Sequence, residues 1–216
     1  GQLPTPAELR SFEQSLVEER DLPEFIQELI KLLPQDMELM EVLRTCISAL
    51  ADRSMQWPPT IEQAMKLLAK TPLIIATRYR LSQGLSFVEA HPELGHVANY
   101  LYMLTGEVPR PAHVRALEAY FILTIEHGMN ASTFAARVVS STESDLVSAL
   151  TGAIGTMKGP LHGGAPSGVI DMLNKIKTKD NAEQWLRQAL EQGERLMGFG
   201  HRVYKTEDPR SIALRE

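Results

Sequence analysis

The chain has 216 residues, of which 44% are hydrophobic and 23% charged, a composition typical of a globular protein of moderate size. Its 22 Lys and Arg against 27 Asp and Glu give a net charge of −5, which disfavours binding to nucleic acid. The longest uncharged stretch, Leu94 to Gly106, is much shorter than the ~18 apolar residues that cross a bilayer, so we expect no membrane span. A single cysteine, Cys46, excludes an internal disulfide and fits a reducing cytoplasm, and we expect it to be a small buried residue.

The predicted elements are helices, because apolar residues recur three and four positions apart along most of the chain. The first such stripe runs from Leu22 to Leu33, and Pro34 ends it. The same spacing recurs in four further stretches, 40–50, 61–68, 114–125 and 182–190. Alternating β-branched runs that would indicate strands hardly occur. The sequence therefore predicts an all-α fold.

Proline or capping residues mark the predicted helix starts. These starts are Thr5-Pro6, Pro58-Pro59-Thr60, Pro109 to Pro111 and Ser141-Thr142-Glu143. The composition changes over residues 152–168, which are rich in Gly and Pro. We expect non-helical backbone there, forming a hinge between two helical regions.

Two histidines lie in loop sequence that suggests more than a solvated side chain. His127 closes an apolar helix just before a new cap at 130–132, and its ordinary interpretation is a histidine favoured by the negative end of the helix dipole. His162 lies in Gly159-Pro160-Leu161-His162-Gly163-Gly164, ahead of a helix that starts near Pro166. A neutral imidazole there could donate an N–H to a carbonyl oxygen, the alternative being an ordinary loop histidine.

A third histidine, His201, belongs to the segment Gly198-Phe199-Gly200-His201-Arg202-Val203-Tyr204-Lys205. Its glycines let backbone pass close to a ligand, and Lys205 and Arg210 supply cations beyond it. The planar fork of Arg210 suits a bidentate carboxylate, so a small dicarboxylic or keto acid is a suitable guest. The alternative is a solvated basic turn. A dinucleotide fingerprint is excluded, because no strand precedes Gly198 and Val203 occupies the third glycine position.

No metal site is expected. His91 and His96 are five residues apart and off a common helical face, and no cysteine or acidic pair completes a ligand shell. We expect both histidines to lie in a surface loop.

The segments Gly159-Pro160-Leu161-His162-Gly163-Gly164-Ala165 and 198–205, with Asp208-Pro209-Arg210, resemble the citrate synthase family. Residues 126–133 resemble the family's histidine loop in its shorter bacterial and archaeal form, and the resemblance covers essentially the whole chain. It implies a citrate synthase-like helical fold in a cytoplasmic homodimer. We expect a large domain at 1–162 and the start of a smaller domain at 163–216. Because a typical member has more sequence at both ends, we expect a truncated protein.

The resemblance implies the condensation of acetyl-CoA with oxaloacetate through an enol, followed by thioester hydrolysis, without a metal or other cofactor. His162 would stabilise the enol, and His201 would polarise the oxaloacetate carbonyl. His127 and Arg210 would hold oxaloacetate. The coenzyme A site would comprise Met197, Gly198, Phe199, Gly200 and Lys205.

The family's base is an aspartate in an Asn-Val-Asp-like segment downstream, and this sequence ends before it. We therefore expect the 216 residues alone to be inactive. Asp208, inside Asp-Pro-Arg, is expected to act in a turn or a cap rather than as that base.

Two alternatives remain open. One is 2-methylcitrate synthase, in which propionyl-CoA replaces acetyl-CoA, because one methylene is worth only ~1–3 kcal/mol in a pocket. The other is a catalytically silent helical scaffold of the same fold. Against the scaffold, the three histidines and Arg210 all stand at matching positions.

Overall fold

A computed structural model describes residues 2–126, 128–199 and 204–215, apart from the side chains at 165 and 166. Within these ranges all regular elements are helices, which confirms the predicted all-α fold. In chain order they are α1 (Pro6–Glu18), α2 (Glu24–Leu32), α3 (Leu39–Ala49), α4 (Ile61–Ser82), α5 (His96–Thr105), α6 (Pro111–Thr124), α7 (Ala131–Ser140), α8 (Leu146–Met157), α9 (Ala165–Ile176), α10 (Lys179–Glu191) and α11 (Pro209–Ala213).

The chain forms two compact units, here called unit 1 (Gly1–Gly155) and unit 2 (Thr156–Glu216). In unit 2, α9 packs on α10, where Met172, Ile176 and Ala189 are buried. The domain boundary after residue 162 that the sequence suggested stays a prediction.

Helix α4 is the element around which unit 1 is built, since it contacts α1, α2, α3 and α5. A capping box starts it: the Thr60 hydroxyl oxygen accepts from the Gln63 N–H, and the Gln63 side-chain oxygen accepts from the Thr60 N–H. Its Leu73 and Ile74 are buried in the core. Other core members from the neighbouring helices include Ile26, Ile30, Val42, Ile47 and Met103. Each such buried side chain contributes about 1.5–3 kcal/mol relative to its exposed state.

Three cations on α4 are almost fully buried: Lys70, Arg78 and Arg80. The Lys70 ammonium donates to the carbonyl oxygens of Glu19 and Asp21, at 3.0 and 2.8 Å, just after α1 ends. It also donates to the Asp21 carboxylate at 2.8 Å, and this bond holds the pKa of Asp21 below its ordinary value. Because the last carbonyls of a helix have no partner within it, Lys70 closes the end of α1.

The two arginines serve the ends of two other helices. Arg78 donates to the Ile30 carbonyl in the last turn of α2 and to the carbonyls of Pro34, Gln35 and Met37 in the turn that follows. Arg80 donates to the Leu104 carbonyl in the last turn of α5, at 3.1 Å, and to the Ser86 carbonyl. Thus α4 supplies donors to the carboxyl ends of α1, α2 and α5.

The glycine-rich stretch 152–168 is mostly helical, so the prediction of non-helical backbone there is wrong at both ends. Gly152 and Gly155 lie inside α8, and Gly168 lies inside α9. A Cβ on Gly152 would lie 3.4 Å from a methyl of Val139, and one on Gly155 would lie 3.7 Å from Cδ of Arg44. Both are ordinary van der Waals distances, so these glycines continue the helix and a methyl group would fit at either position.

The predicted start at Ser141-Thr142-Glu143 is also wrong, because these residues form a turn after α7. Glu143 has a left-handed φ of 61°, which no helix accommodates. The next helix begins at Leu146, where the Asp145 carboxylate accepts the Ser148 N–H at 2.8 Å. Asp145 thus supplies the N-terminal cap.

The uncharged stretch 94–106 contains α5, which packs on α4. His96, expected in a surface loop, is instead its half-buried first residue, because the neighbouring Val97 and Asn99 face the interior. Burial lowers the pKa of His96, and the nearby charge of Arg20 lowers it further. In the described parts of the chain no helix combines the length and apolar character that crossing a membrane requires.

Cys46 on α3 is fully buried, which confirms the prediction of a small core residue. Burial raises the pKa of its thiol to about 11. The reactive thiolate is therefore strongly disfavoured at neutral pH.

We predict that Lys70→Met lowers the free energy of unfolding of the full-length protein by about 2–4 kcal/mol, because the Glu19 and Asp21 carbonyls lose their donor. Lys31→Met is the matched control, since Lys31 pairs with Glu28 on the surface of α2 and its loss should cost less than about 1 kcal/mol. Chemical denaturation measures both values. Equal losses in the two variants would contradict the role of Lys70.

Candidate functional site

The turn that joins α8 to α9 holds His162 by main-chain bonds. The N–H groups of His162 and Gly164 both donate to the Gly159 carbonyl oxygen, at 2.9 and 3.2 Å. The Gly159 N–H in turn donates to the Thr156 carbonyl oxygen at 3.2 Å, at the end of α8. His162 is half-buried and stands three residues before the first residue of α9. Two successive helices therefore fix its backbone.

The two residues after His162, Gly163 and Gly164, lie too close to neighbouring atoms to carry a side chain. A Cβ on Gly163 would lie 2.5 Å from Cγ of Met157 and 2.8 Å from its carbonyl oxygen. A Cβ on Gly164 would lie 2.9 Å from the Lys158 carbonyl oxygen and 3.0 Å from that of Gly159. Since the obstacles include main-chain oxygens, a larger residue at either position would displace the backbone beside His162.

The segment that contains Met197 and Gly198 lies against the first half of α9. A Cβ on Gly168 would lie 3.0 Å from Cγ of Met197, so the Met197 side chain packs directly against the backbone of α9. Gly198 has a φ of +85°, and a Cβ there would lie 3.1 Å from a methyl of Val169. The structure thus brings the second glycine motif to the helix that begins just after His162. Phe199, next along the chain, is 66% exposed.

Arg210 is held within its own loop. Its Nε lies 3.0 Å from Oδ1 of Asp208, and its Nη2 lies 2.7 Å from Oδ2, with both side chains 24% exposed. The guanidinium carbon lies 5.6 Å from the centre of the Tyr204 ring, within cation–π distance. Asp208 is also the N-cap of α11, because its Oδ1 accepts the Arg210 N–H at 2.9 Å. This confirms the capping role predicted for Asp208.

The remaining predicted site residues are less constrained or lie outside the description. His127, Gly200 and His201 fall outside the described residues. Around residue 127, the Glu126 carboxylate accepts the Gly128 N–H at 2.6 Å, and Asn130 caps α7 as predicted. Lys205 is exposed. In the described ranges no group of three or more His, Cys, Asp or Glu could hold a metal ion.

Sequence reasoning missed two features of the site. It did not foresee the Tyr204 ring beside Arg210, although tyrosine and arginine in one short loop are a recognisable signal. It also assigned Met197 to coenzyme A without anticipating that its side chain packs on Gly168. The glycine inside the α9 pattern was the available signal, since a helical glycine often marks close packing.

Comparison with curated proteins finds relatives along nearly all of the chain. The family model described as the citrate synthase C-terminal domain matches residues 1–216. The chain is 42% identical to a citrate synthase of Haloferax volcanii, covering 99% of this chain and 59% of the relative. It is 45% identical to a 2-methylcitrate synthase of Mycobacterium tuberculosis, covering 97% of this chain and 54% of the relative.

Among solved structures, a citrate synthase from Thermoplasma acidophilum superposes with a TM-score of 0.90 at 30% identity, over 98% of this chain and 57% of that one. That structure is a ternary complex with carboxymethyl coenzyme A and oxaloacetate. The chain therefore spans less than two thirds of the length of these three proteins, between 54% and 59%. With a family model matching its whole length and relatives above 40% identity, the chain belongs to the citrate synthase family.

Proposed function

We propose that the full-length protein is a citrate synthase, which condenses acetyl-CoA with oxaloacetate and hydrolyses the resulting thioester to citrate and CoA. One observation carries the proposal: the backbone follows that of the Thermoplasma acidophilum ternary complex with a TM-score of 0.90. The fixed turn around His162 gives the proposal its chemistry.

His162 would act on the thioester. Removal of a proton from the methyl carbon of acetyl-CoA moves charge onto the thioester oxygen, and a donor already in place stabilises that charge. The hydrogen bonds that the N–H groups of His162 and Gly164 donate to the Gly159 carbonyl oxygen hold the backbone of His162 before substrate arrives, as do the close contacts of Gly163. A preorganised donor of this kind is worth about 10²–10³ in rate. The enol carbon then bonds to the carbonyl carbon of oxaloacetate, and water cleaves the thioester.

Oxaloacetate would be held by His127, His201 and Arg210, with His201 polarising the carbonyl that is attacked. Arginine suits this task because its planar guanidinium can donate two parallel hydrogen bonds to one carboxylate. Coenzyme A would lie along Met197, Gly198, Phe199 and Gly200, where the contacts of Met197 and Gly198 with α9 keep the backbone in place. Lys205 is exposed, so its ammonium group is accessible to a phosphate of coenzyme A that arrives from solvent.

The proposal includes no metal and no organic cofactor, because a carbon acid activated by a positioned donor and a base needs neither. Acetyl-CoA is a substrate. It also includes a cytoplasmic location, supported by the single buried thiol of Cys46. The net charge of −5 gives no support for a nucleic-acid partner.

A homodimer completes the proposal, and α6 supports it. No residue of α6 is buried, although its carboxyl half is largely apolar. Ile122 is 71% exposed, Ile125 just after the helix is 86% exposed, and Phe134 on α7 is 60% exposed. Apolar surface of this kind marks a face that another surface covers, and we assign it to a second copy of the chain.

A second candidate activity is 2-methylcitrate synthesis from propionyl-CoA. The observation that favours it is the 45% identity to the Mycobacterium tuberculosis 2-methylcitrate synthase. The two substrates differ by one methylene, and such a difference is worth only about 1–3 kcal/mol of discrimination.

We predict that the full-length protein releases CoA when oxaloacetate is added with acetyl-CoA, and that kcat/KM is lower with propionyl-CoA. A thiol reagent measures both rates. A higher kcat/KM with propionyl-CoA would assign the protein to 2-methylcitrate synthesis. No CoA release with either thioester, in a folded protein, would favour the silent scaffold.

We predict that His162→Ala lowers kcat by about 10² or more while the dissociation constant of oxaloacetate stays within about threefold of wild type, because the lost donor acts on the enol. Steady-state kinetics and isothermal titration measure the two quantities. A parallel loss of oxaloacetate binding would assign His162 to the wrong substrate.

We predict a sedimentation mass of twice the full-length chain, and a shift towards the monomer in Ile122→Asp. Ile61→Asp, at the equally exposed first residue of α4, is the control, since Ile61 is 73% exposed. A monomeric wild-type protein would contradict the dimer, and a dimeric Ile122→Asp would exclude α6 from its interface.

A further inference from the structure

The carboxylate of Asp208 binds both the main chain and the side chain of Arg210. Its Oδ1 accepts from the Arg210 N–H and Nε, at 2.9 and 3.0 Å, and its Oδ2 accepts from Nε and Nη2, at 3.2 and 2.7 Å. The aspartate thereby fixes one edge of the guanidinium to the first turn of its own helix. The Tyr204 ring lies 5.6 Å from the guanidinium carbon.

We propose that Asp208 and Tyr204 are positioning residues that orient the Arg210 guanidinium for a carboxylate of oxaloacetate, an inference that rests on the proposed function. An arginine side chain has many rotamers in solution, and a ligand that must order it binds correspondingly more weakly. In this loop the order exists before the ligand arrives.

The charge of Asp208 goes beyond what the cap of α11 requires. Capping of α11 needs only a side-chain oxygen, and asparagine caps as well as aspartate does. The ion pair is bidentate and each side chain is only 24% exposed, so it is stronger than an ion pair on the open surface. The negative charge adds to the cap a two-point grip on the guanidinium of Arg210.

Positioning is also favoured over competition between Asp208 and the substrate for Arg210. A competing carboxylate would have to leave when oxaloacetate binds. Asp208 is only two residues from Arg210, and its departure would also break the cap bond to the Arg210 N–H. The substrate therefore shares the guanidinium with Asp208 and does not replace it.

The test compares Asp208→Asn with Glu207→Gln in the full-length protein. Both variants remove one carboxylate from the same loop, and the exposed Glu207 serves as the control. We expect Asp208→Asn to raise the oxaloacetate dissociation constant and KM about 5- to 30-fold, with kcat and the acyl-CoA KM within about threefold of wild type. Glu207→Gln should leave all four values within about twofold. Thermal unfolding should show that both variants are folded at the assay temperature.

An Arg210→Ala variant and the Asp208→Asn/Arg210→Ala double variant complete a cycle. If Asp208 acts through Arg210, adding Asp208→Asn to Arg210→Ala changes oxaloacetate binding by less than about twofold. Tyr204→Leu removes the aromatic ring beside the Arg210 guanidinium. It should raise the oxaloacetate dissociation constant about threefold. It also serves as the test if Asp208→Asn does not fold.

Three outcomes overturn the inference in an enzyme that releases CoA. Oxaloacetate binding by Asp208→Asn within about twofold of wild type would show that Asp208 does not position Arg210, and tighter binding would show competition. Unchanged binding by Arg210→Ala would remove Arg210 from the substrate site. Failure of the proposed function looks different, because the full-length protein then releases no CoA. In that case isothermal titration with oxaloacetate alone still decides the role of Asp208.

Discussion

The fold of unit 1 depends on the requirement that buried carbonyl groups at helix ends find donors. Three helices, α1, α2 and α5, end against α4, and their last carbonyls face its sides. These groups are buried or partly buried, so a carbonyl left unpaired there would cost about 1–3 kcal/mol. Lys70, Arg78 and Arg80 meet the requirement with long side chains that carry several N–H donors. The apolar core sets how closely the helices pack, and these cations bond the carbonyls at the ends of the three helices.

The sequence predicts the fold class well because apolar periodicity and proline position are local signals. Leu22 to Leu33 followed by Pro34 indicates α2, and Pro58-Pro59-Thr60 marks the start of α4. Buried contacts can override such a local signal, as they do at Pro72. Pro72 would normally end a helix, yet α4 continues to Ser82, because Leu73, Ile74, Arg78 and Arg80 are all buried beyond it.

The candidate site shows the same division. His162 and Arg210 were identified from their motifs, because glycine, proline and charge in short loops are visible along one chain. The partners that hold them were harder to foresee. The Gly159 carbonyl accepts two N–H groups only after the turn has closed, and Gly168 accepts Met197 only after the loop folds back onto α9. Local motifs therefore indicate candidate site residues, and tertiary packing determines how rigidly their backbone and side chains are held.

The shape of the turn around His162 does not depend on the side chain of Leu161, the residue just before it. Its shape is set by main-chain bonds to the Gly159 carbonyl oxygen and by the bare backbone of Gly163 and Gly164, and within unit 2 the Leu161 side chain is 89% exposed. Leu161 can therefore vary without moving the histidine beside it. Such a position is evolvable: natural variation or a directed library at residue 161 would alter the surface next to His162 while the turn stays intact.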